Sequence, residues 1–229
     1  MCVASDCFSY RKVGDFARLD DGREERTGFP EVILAEGKAP AQVVAIARAA
    51  RGTVIVSRVS GAHAKAMLKA FPKAVVKKEA RMVVIRRGKK AADGSCSVGV
   101  LTAGTSDIPA AEEAAVVAEE MGCKVVRAFD VGVAGIHRLY PALDEMKKRK
   151  VRALVVAAGR EGTLPAIVAG LACVPVIGLP TSTGYGFGGK GEAALKSMLQ
   201  SCSFLTVVNI DNGVCAGACA ARFAKGCGK

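Results

Sequence analysis

The second half of the chain repeats one pattern of apolar and polar positions. Continuous apolar runs predict strands at residues 98–102, 124–130, 152–157, 174–179 and 205–210. A segment with helical periodicity follows each run, at residues 108–121, 136–148, 163–171, 192–201 and 216–225. Apolar runs that do not alternate with polar residues are typical of strands covered on both faces. This half therefore predicts an α/β fold, a doubly wound parallel sheet flanked by helices.

The first half contains shorter elements of the same two kinds. Strands are predicted at residues 31–34, 53–59, 74–77 and 81–87, and helices at residues 40–51 and 61–71. The polar, glycine-containing stretch 88–95 is the predicted boundary between domains. We therefore expect a mobile N-terminal arm over residues 1–28, a small basic α/β domain over 29–92 and a larger α/β domain over 96–229.

Composition narrows the class of protein. With 229 residues, 51% of them hydrophobic, the chain can bury a substantial core. No apolar run approaches the ~20 residues of a transmembrane helix, and the first residues lack the apolar region of a signal peptide. The nine cysteines are an odd number, which favours reduced thiols. These features predict a cytoplasmic protein.

The charge of the chain is strongly positive and uneven. The net charge is +12, and residues 38–90 hold 14 lysines and arginines against one acid, Glu79. Such a surface either attracts a polyanionic small substrate, binds nucleic acid, or is simply solvated. Aromatic residues make up 5% of the chain and tryptophan is absent, which argues against stacking platforms for single-stranded nucleic acid.

The segments that follow the five predicted strands are rich in glycine and hydroxyl groups. They read AGTSD (103–107), DVGVAGIHR (130–138), AAGREGTLP (157–165), LPTSTGYGFGGKG (179–191) and NIDNG (209–213). Ligands of parallel sheets bind at the carboxyl ends of the strands. Glycines let backbone amides approach a phosphate closely, and a helix start adds unpaired N–H groups. The five loops together predict a nucleotide or sugar-phosphate pocket.

Several side chains in these loops are candidates for chemistry. Arg138 can hold a phosphate in bidentate fashion, and His137 can serve as an acid, a base or a phosphate donor. Glu161 lies in a glycine-flanked loop, where a carboxylate can reach a substrate. Each candidate also has an ordinary alternative: Ser106 or Asp107 can simply cap a turn, Arg138 can be a surface arginine, and Glu161 can be solvated. Cys202 ends a helical stretch, where its thiol needs a nearby cation for activation, and a small buried cysteine is the alternative.

The loop motifs resemble a known family. AGTSD, GIHR, the AG-x-x-G-x-LP segment of residues 158–165, and PVIGLPTS occur in the order found in PurE-type aminoimidazole ribonucleotide carboxylases, over residues 98–211. With GFPEVILAEGK (28–38), LQSC and VVNIDNG, the chain resembles the LarB family still more closely, over residues 26–217. That family comprises the pyridinium-3,5-biscarboxylic acid mononucleotide synthases of nickel-pincer nucleotide biosynthesis.

The resemblance implies a carboxylase/hydrolase. The substrates would be nicotinic acid adenine dinucleotide and CO2 or bicarbonate, and AMP would be released when the phosphoanhydride is hydrolysed. Cys202 would be the covalent nucleophile, and we assign Glu161 to the proton or to the position of the pyridinium. The substrate- and phosphate-binding positions would be Gly104, Thr105, Ser106, Asp107, Asp130, His137, Arg138, Gly159, Thr181 and Ser182.

The resemblance carries further expectations and one departure from the PurE pattern. It implies an octamer of PurE type and a Mg2+ ion with Asp107 or Asp130 nearby. The segment 28–38 would belong to a domain that contributes to the active site, with Phe29, Pro30 and Glu31 covering the pocket. PurE enzymes have a histidine before the LP of the third loop, where this chain has Gly162 and Thr163. A PurE-like aminoimidazole ribonucleotide carboxylase is therefore the second candidate, and a nucleic-acid-binding module that uses the basic half is the third.

Overall fold

The computed structural model describes residues 9–87 and 96–226. The chain divides into two compact units, residues 1–91 and residues 92–229. Each unit has its own hydrophobic core. The division falls within the predicted linker 88–95, which lies outside the described residues.

The first unit is a small α/β domain. A hairpin of β1 (Tyr10–Val13) and β2 (Ala17–Asp20) leads through α1 (Arg23–Thr27) into a four-stranded sheet. Its strands are β3 (Glu31–Leu34), β4 (Val54–Ser57), β5 (Val75–Lys77) and β6 (Met82–Ile85), in the order β3-β4-β6-β5. Strands β3 and β4 are parallel, and the other pairs are antiparallel. Helices α2 (Pro40–Ala49) and α3 (Gly61–Ala70) pack against one another, and both contribute to the core.

Residues 10–27 do not form the mobile arm that their polar sequence predicts. Leu19 is buried in the core of the first unit, and Arg11 Nη1 donates to the carbonyl oxygen of Ala49 at 2.7 Å. The last carbonyls of a helix lack partners inside it, so this arginine satisfies one of them and faces the negative end of the helix dipole. The expectation failed because contacts with α2, rather than local periodicity, hold the hairpin. Residues 1–8 lie outside the described residues.

The second unit confirms the predicted doubly wound parallel sheet. Its strands are β7 (Ser97–Thr102), β8 (Lys124–Ala128), β9 (Ala153–Ala158), β10 (Val176–Pro180) and β11 (Thr206–Val207). They are all parallel and lie in the order β8-β7-β9-β10-β11. The helices are α4 (Ile108–Glu120), α5 (Leu139–Lys148), α6 (Thr163–Leu171), α7 (Glu192–Gln200) and α8 (Gly213–Gly226). Among the described helices, none is both long and apolar enough to cross a membrane.

Helices cover both faces of this sheet. Residues of α5, α6 and α7, such as Leu139, Val168 and Met198, share one core with the strands. Helices α4 and α8 pack closely together and against β7, β9 and β10. Their contact is tight because a Cβ on Gly217 would overlap the carbonyl oxygen of Ala114. Coverage on both sides explains why the strands are continuous apolar runs.

The observed helix boundaries have local causes. Helix α6 occupies the predicted residues 163–171. Helix α5 starts at Leu139 rather than at residue 136, and residues 133–138 form a 3-10 helix with a non-helical backbone at Gly135. Strand β11 is only two residues long, since its ladder with β10 holds two pairs, at Ile177 and Gly178.

Two cysteines correct the expectation of reduced thiols. Cys96 and Cys123 form a disulfide with a Cα–Cα distance of 5.0 Å, and both are buried. Cys96 directly precedes β7 and Cys123 directly precedes β8, so the bond joins the starts of two neighbouring strands. Among the described residues, the free cysteines are Cys173, Cys202, Cys215 and Cys219.

Candidate active site

The strand order creates a crevice between two loops. Strand β7 has β8 on one side and β9 on the other. The chain therefore leaves β7 and β9 in opposite directions across the sheet, and the loops that follow these strands separate. In parallel sheets this switch point is where ligands bind. The loops concerned hold residues 103–107 and 159–162, the first and third loops of the sequence prediction.

A buried carboxylate ties the first loop to the fourth. Asp107 is only 4% exposed. Its Oδ1 accepts hydrogen bonds from Thr181 Oγ1 at 2.6 Å and from Thr183 Oγ1 at 3.0 Å. Its Oδ2 accepts from the backbone N–H of Gly104 at 2.9 Å. Hydrogen bonds to a carboxylate are stronger than neutral ones, so Asp107 fixes both loops in place.

The third loop is pressed against this network at Gly159. A Cβ at this position would lie 2.5 Å from Thr181 Oγ1 and 3.1 Å from Asp107 Oδ1, and would overlap Thr183 Oγ1. Gly184 approaches in turn, because a Cβ there would overlap the carbonyl oxygen of Gly159. Only glycine fits at these two contacts. The third and fourth loops therefore touch backbone to backbone.

The second and fifth loops are anchored to the same edge. The backbone N–H of Asp130 donates to Thr102 Oγ1 at 3.0 Å, and a Cβ on Gly132 would overlap the carbonyl oxygen of Ala103. The backbone N–H of Ser182 donates to Asp211 Oδ1 at 2.9 Å. Each of the five loops thus contacts a neighbour, and the structure brings them together as the sequence predicts.

The candidate phosphate-binding side chains differ in their surroundings. Thr105, Ser106 and His137 are exposed at the surface of their loops. Arg138 is also exposed, but its Nη1 lies 2.6 Å from Asp130 Oδ2, so its charge is shared with a carboxylate. Asp107 is buried, and both of its carboxylate oxygens accept hydrogen bonds from the protein itself.

Glu161 lies directly before α6, and Cys202 lies in a connection that is hydrogen-bonded to the first turn of this helix. Glu161 is exposed, directly before the glycine that begins this helix. Cys202 is exposed in the connection from α7 to β11. The next residue, Ser203, donates from Oγ to the carbonyl oxygen of Ala166 at 3.0 Å. Ala166 is four residues beyond Gly162, or about one helical turn of 5.4 Å.

The carboxylates named for Mg2+ do not fit such an ion as they stand. Both oxygens of Asp107 accept hydrogen bonds from the protein. Asp130 is paired with Arg138, whereas Mg2+ takes several oxygen ligands in octahedral geometry. Over residues 9–87 and 96–226, no three histidine, cysteine, aspartate or glutamate side chains cluster as metal ligands do.

The segment 28–38, expected to cover the pocket, belongs to the first unit. Glu31 begins β3 and is partly buried, and this burial raises the pKa of its carboxyl, while the charge of Arg23 opposes the rise. Residues that the sequence analysis did not single out include Thr183, Asp211, Arg160 and Tyr185. For Thr183, the sequence did contain a signal: it lies two residues after Thr181, and residues two apart in an extended segment share a side.

Comparison with known proteins identifies the class and then the family. The family described as AIR carboxylase matches residues 97–226, so the second unit is an α/β domain of a carboxylase-type enzyme. The family described as LarB/PurE-like N-terminal domain matches residues 10–87. The chain therefore belongs to the LarB family, which is related to the PurE-type AIR carboxylases.

Individual relatives agree with this assignment. An uncharacterized protein of Methanocaldococcus jannaschii is 42% identical over 226 residues, which cover 94% of this chain and 87% of the relative. An N5-carboxyaminoimidazole ribonucleotide mutase of Pyrococcus horikoshii is 30% identical over 121 residues, 51% of this chain and 59% of the mutase. The corresponding mutase of Thermotoga maritima is 30% identical over 90 residues, 38% of this chain and 50% of that protein. The likeness to the mutases is thus confined to part of the chain.

Proposed function

We propose that the protein converts nicotinic acid adenine dinucleotide, CO2 or bicarbonate, and water into pyridinium-3,5-biscarboxylic acid mononucleotide and AMP. One observation carries the proposal. The third loop contacts the Asp107 network at Gly159 and then begins α6, to which the Cys202 connection is hydrogen-bonded. The proposal places the nucleotide along the first and third loops and requires its pyridinium ring to reach the thiol.

The proposed phosphate end lies at the first loop. Thr105 and Ser106 are exposed at the start of α4, where unpaired backbone N–H groups and the helix dipole favour anions. Asp107 positions this loop from beneath through Gly104. Ser182 is exposed on the adjoining fourth loop, whereas Thr181 and Gly159 are buried beneath it, and His137 with Arg138 lie exposed on the second loop. These residues would bind the phosphates and sugars without taking part in bond making.

The exposed thiol of Cys202 is suited to nucleophilic attack. Its thiolate would add to C4 of the pyridinium, which neutralises the ring and makes C5 nucleophilic. C5 would attack CO2, the C5 proton would leave, and expulsion of the thiolate would restore the aromatic ring. Covalent catalysis of this kind divides one difficult step into easier ones. The positive ring itself would stabilise the thiolate on approach.

Glu161, at the start of α6, is the proposed partner of Cys202 in the reaction. It follows Arg160 in an exposed turn directly before Gly162, whose φ of 70° is a left-handed conformation suited to glycine. A carboxylate there can accept the C5 proton or hold the pyridinium cation by charge. We assign it these two roles in the carboxylation half-reaction.

A homo-oligomer, an octamer of PurE type, is part of the proposal. The segment around Cys202 exposes two large apolar side chains, Leu199 at 65% and Phe204 at 97%. Apolar side chains grouped in this way mark surfaces for association. A second copy of the chain would cover them and exclude water from the thiol.

Isotope labelling tests the proposed reaction. We expect the wild-type protein, given nicotinic acid adenine dinucleotide and 13C-bicarbonate, to release AMP and a mononucleotide that carries one labelled carboxylate, read by mass spectrometry. Cys202→Ala should abolish the labelled product. Cys173→Ser is the matched control, because Cys173 is also exposed but lies beyond the opposite end of α6. Full activity of Cys202→Ala would refute the covalent mechanism.

A PurE-like reaction on an aminoimidazole ribonucleotide is the second candidate. It is supported by the partial likeness to the two mutases. Parallel assays with an aminoimidazole ribonucleotide and with nicotinic acid adenine dinucleotide separate the two candidates. We expect turnover of the dinucleotide only, and unchanged turnover of the aminoimidazole by Cys202→Ala would favour the alternative.

A further inference from the structure

Arg160 stands at the switch point with an aromatic ring against its guanidinium. It is the second residue after β9, and its Cζ lies 4.3 Å from the centroid of the Tyr185 ring. Tyr185 belongs to the glycine-rich fourth loop and is 79% exposed. Over the described residues, Arg160 forms no ion pair with a carboxylate. Its charge therefore stays unneutralised beside the predicted nucleotide pocket.

A guanidinium stacked by its face still has its in-plane N–H donors available. Arginine combines these two modes because the group is planar, and its fork of donors matches the oxygens of a phosphate. The contact with Tyr185 limits the rotation of a long side chain that would otherwise be mobile. A bidentate anion bond then costs less conformational entropy.

The loops hold both partners of this pair in place. Gly159, directly before Arg160, is fixed against Thr181 and Asp107. Gly184, directly before Tyr185, is fixed against the carbonyl oxygen of Gly159. The stacked pair thus rises from the point where the third and fourth loops touch, and a ligand that enters the crevice meets it.

Arg160 differs in this respect from Arg138, the arginine that the motifs suggest for phosphate. Arg138 already has a carboxylate partner, Asp130, at 2.6 Å. To bind a phosphate it would have to give up or share that ion pair. Arg160 would only exchange solvent for the anion, because its stacking contact uses a different part of the group.

We propose that Arg160 binds a phosphate of the diphosphate bridge in the nucleotide substrate, and that Tyr185 is the positioning residue that orients it. This inference rests on the proposed function for the identity of the substrate. It adds a specificity-determining residue: an enzyme with this pair selects a dinucleotide over a mononucleotide that lacks the second phosphate.

Calorimetric titration in the Cys202→Ala background tests the proposal without turnover. The probes are inorganic pyrophosphate, inorganic phosphate and nicotinic acid adenine dinucleotide. Loss of a charge-assisted bidentate bond predicts about 10- to 100-fold weaker binding of pyrophosphate and dinucleotide in Arg160→Met. Arg222→Met is the matched control, since Arg222 is an exposed arginine of α8 that forms no ion pair within the described part of the chain, and it should change binding less than about twofold.

The role of Tyr185 has its own signature. Tyr185→Phe keeps the ring and should bind pyrophosphate as the parent does, whereas Tyr185→Leu should bind about 3- to 10-fold more weakly. Because the ring acts through Arg160, Tyr185→Leu should cost nothing further when Arg160→Met is already present. Equal losses in both backgrounds would refute the positioning role.

The outcomes separate this proposal from the proposed function. If Arg160→Met binds pyrophosphate and dinucleotide as tightly as its parent, the proposal fails even when the wild-type protein carboxylates the dinucleotide. If pyrophosphate binding depends on Arg160 while the dinucleotide is never turned over, the anion site stands and the proposed function fails. Equal weakening by Arg222→Met would reveal only a general charge effect and overturn the proposal.

Discussion

Single residues without side chains decide the shape of the site. Gly159 lies so close to Thr181, Thr183 and Asp107 that a methyl group has no room. Both threonine hydroxyls donate to the same oxygen of Asp107. A methyl group on Gly159 would displace these hydroxyls and so disturb both hydrogen bonds. A change of one methyl group at Gly159 therefore acts on the first, third and fourth loops at once.

We predict that Gly159→Ala impairs both stability and ligand binding. The added methyl group should cost about 1–3 kcal/mol through overpacking, and binding of nicotinic acid adenine dinucleotide should fall below detection by calorimetry. Gly170→Ala is the control, because a Cβ at Gly170 in α6 meets nothing within 4 Å. That substitution should stabilise the helix by about 0.5–1 kcal/mol. A Gly159→Ala protein with parental melting temperature and affinity would contradict the description of the network.

A second prediction for a single residue concerns Glu31 and the pH dependence of the stability of the folded state. Burial raises the pKa of this carboxyl above its ordinary value of 4.5, so the folded state binds its proton more readily than the unfolded state does. The stability from this group is therefore present below pH 4.5 and is lost as the pH rises through the raised pKa. Charged Glu31 is unfavourable at pH 7.

Glu31→Gln should consequently raise the melting temperature at pH 7 by about 1–2 °C, since solvent screens a partly exposed group. At pH 4 the gain should vanish. Glu145→Gln serves as the control, because the hydrogen bond from Arg149 lowers the pKa of Glu145 and its removal should give no gain at pH 7. Thermal melts at both pH values decide the matter, and equal gains at pH 4 and pH 7 would count against burial as the cause.

At the scale of elements, helices α4 and α8 illustrate how small residues set a distance. A Cβ on Gly213 would overlap the carbonyl oxygen of Ala110, and one on Gly217 would overlap that of Ala114. Ala114 and Ala216 at the same contact are fully buried. Backbones that approach this closely cannot accept even one added methyl group without separating.

Gly217→Ala should therefore destabilise the second unit by about 1–3 kcal/mol despite the better helix propensity of alanine. Gly226→Ala in the same helix has open space around the new methyl group and should leave stability within about 0.5 kcal/mol. Urea unfolding of the two variants and the parent provides the measurement. A Gly217→Ala protein as stable as Gly226→Ala would show that the helices can move apart freely.

The elements of the second unit were predictable because each carries its own local signal. Helix α6 begins after a left-handed Gly162 and has an apolar sequence, so its predicted and observed limits agree. The hairpin β1–β2 was missed, since the contacts that hold it, such as Arg11 with Ala49, span 38 residues. The Asp107 network joins residues 74 and 76 positions apart and was invisible for the same reason.

At the scale of the whole molecule, the protein has a net charge of +12, whereas the proposed substrate carries a negatively charged diphosphate. Attraction between them should speed encounter and is screened by salt. We expect the KM for nicotinic acid adenine dinucleotide to rise about 3- to 10-fold between ~20 and ~200 mM NaCl, with kcat little changed.

Removal of basic side chains tests the origin of that salt effect. Lys65→Gln with Lys69→Gln removes two exposed charges of α3 in the first unit and should reduce the slope of KM against ionic strength. Lys147→Gln with Lys148→Gln on α5 is the matched pair in the second unit. A KM that does not respond to salt would eliminate electrostatic steering.

The buried Cys96–Cys123 disulfide also acts on the molecule as a whole. It closes a segment with a sequence separation of 27 and ties together the starts of β7 and β8. Cys96→Ser with Cys123→Ser should lower the free energy of unfolding by about 2–4 kcal/mol, measured by urea unfolding without reductant. With reductant present during unfolding, the parent and the variant should become similar, and a persistent difference would point to lost packing instead.

The glycine contacts between the loops also define how this pocket can be re-engineered. Gly132, Gly159 and Gly184 let neighbouring loops approach closely. Most variants in a library that randomises these glycines would therefore have displaced loops. Thr105 and Ser106 on the first loop and Arg160 on the third are exposed. Directed evolution towards another nucleotide should therefore vary these three side chains and leave the three glycines unchanged.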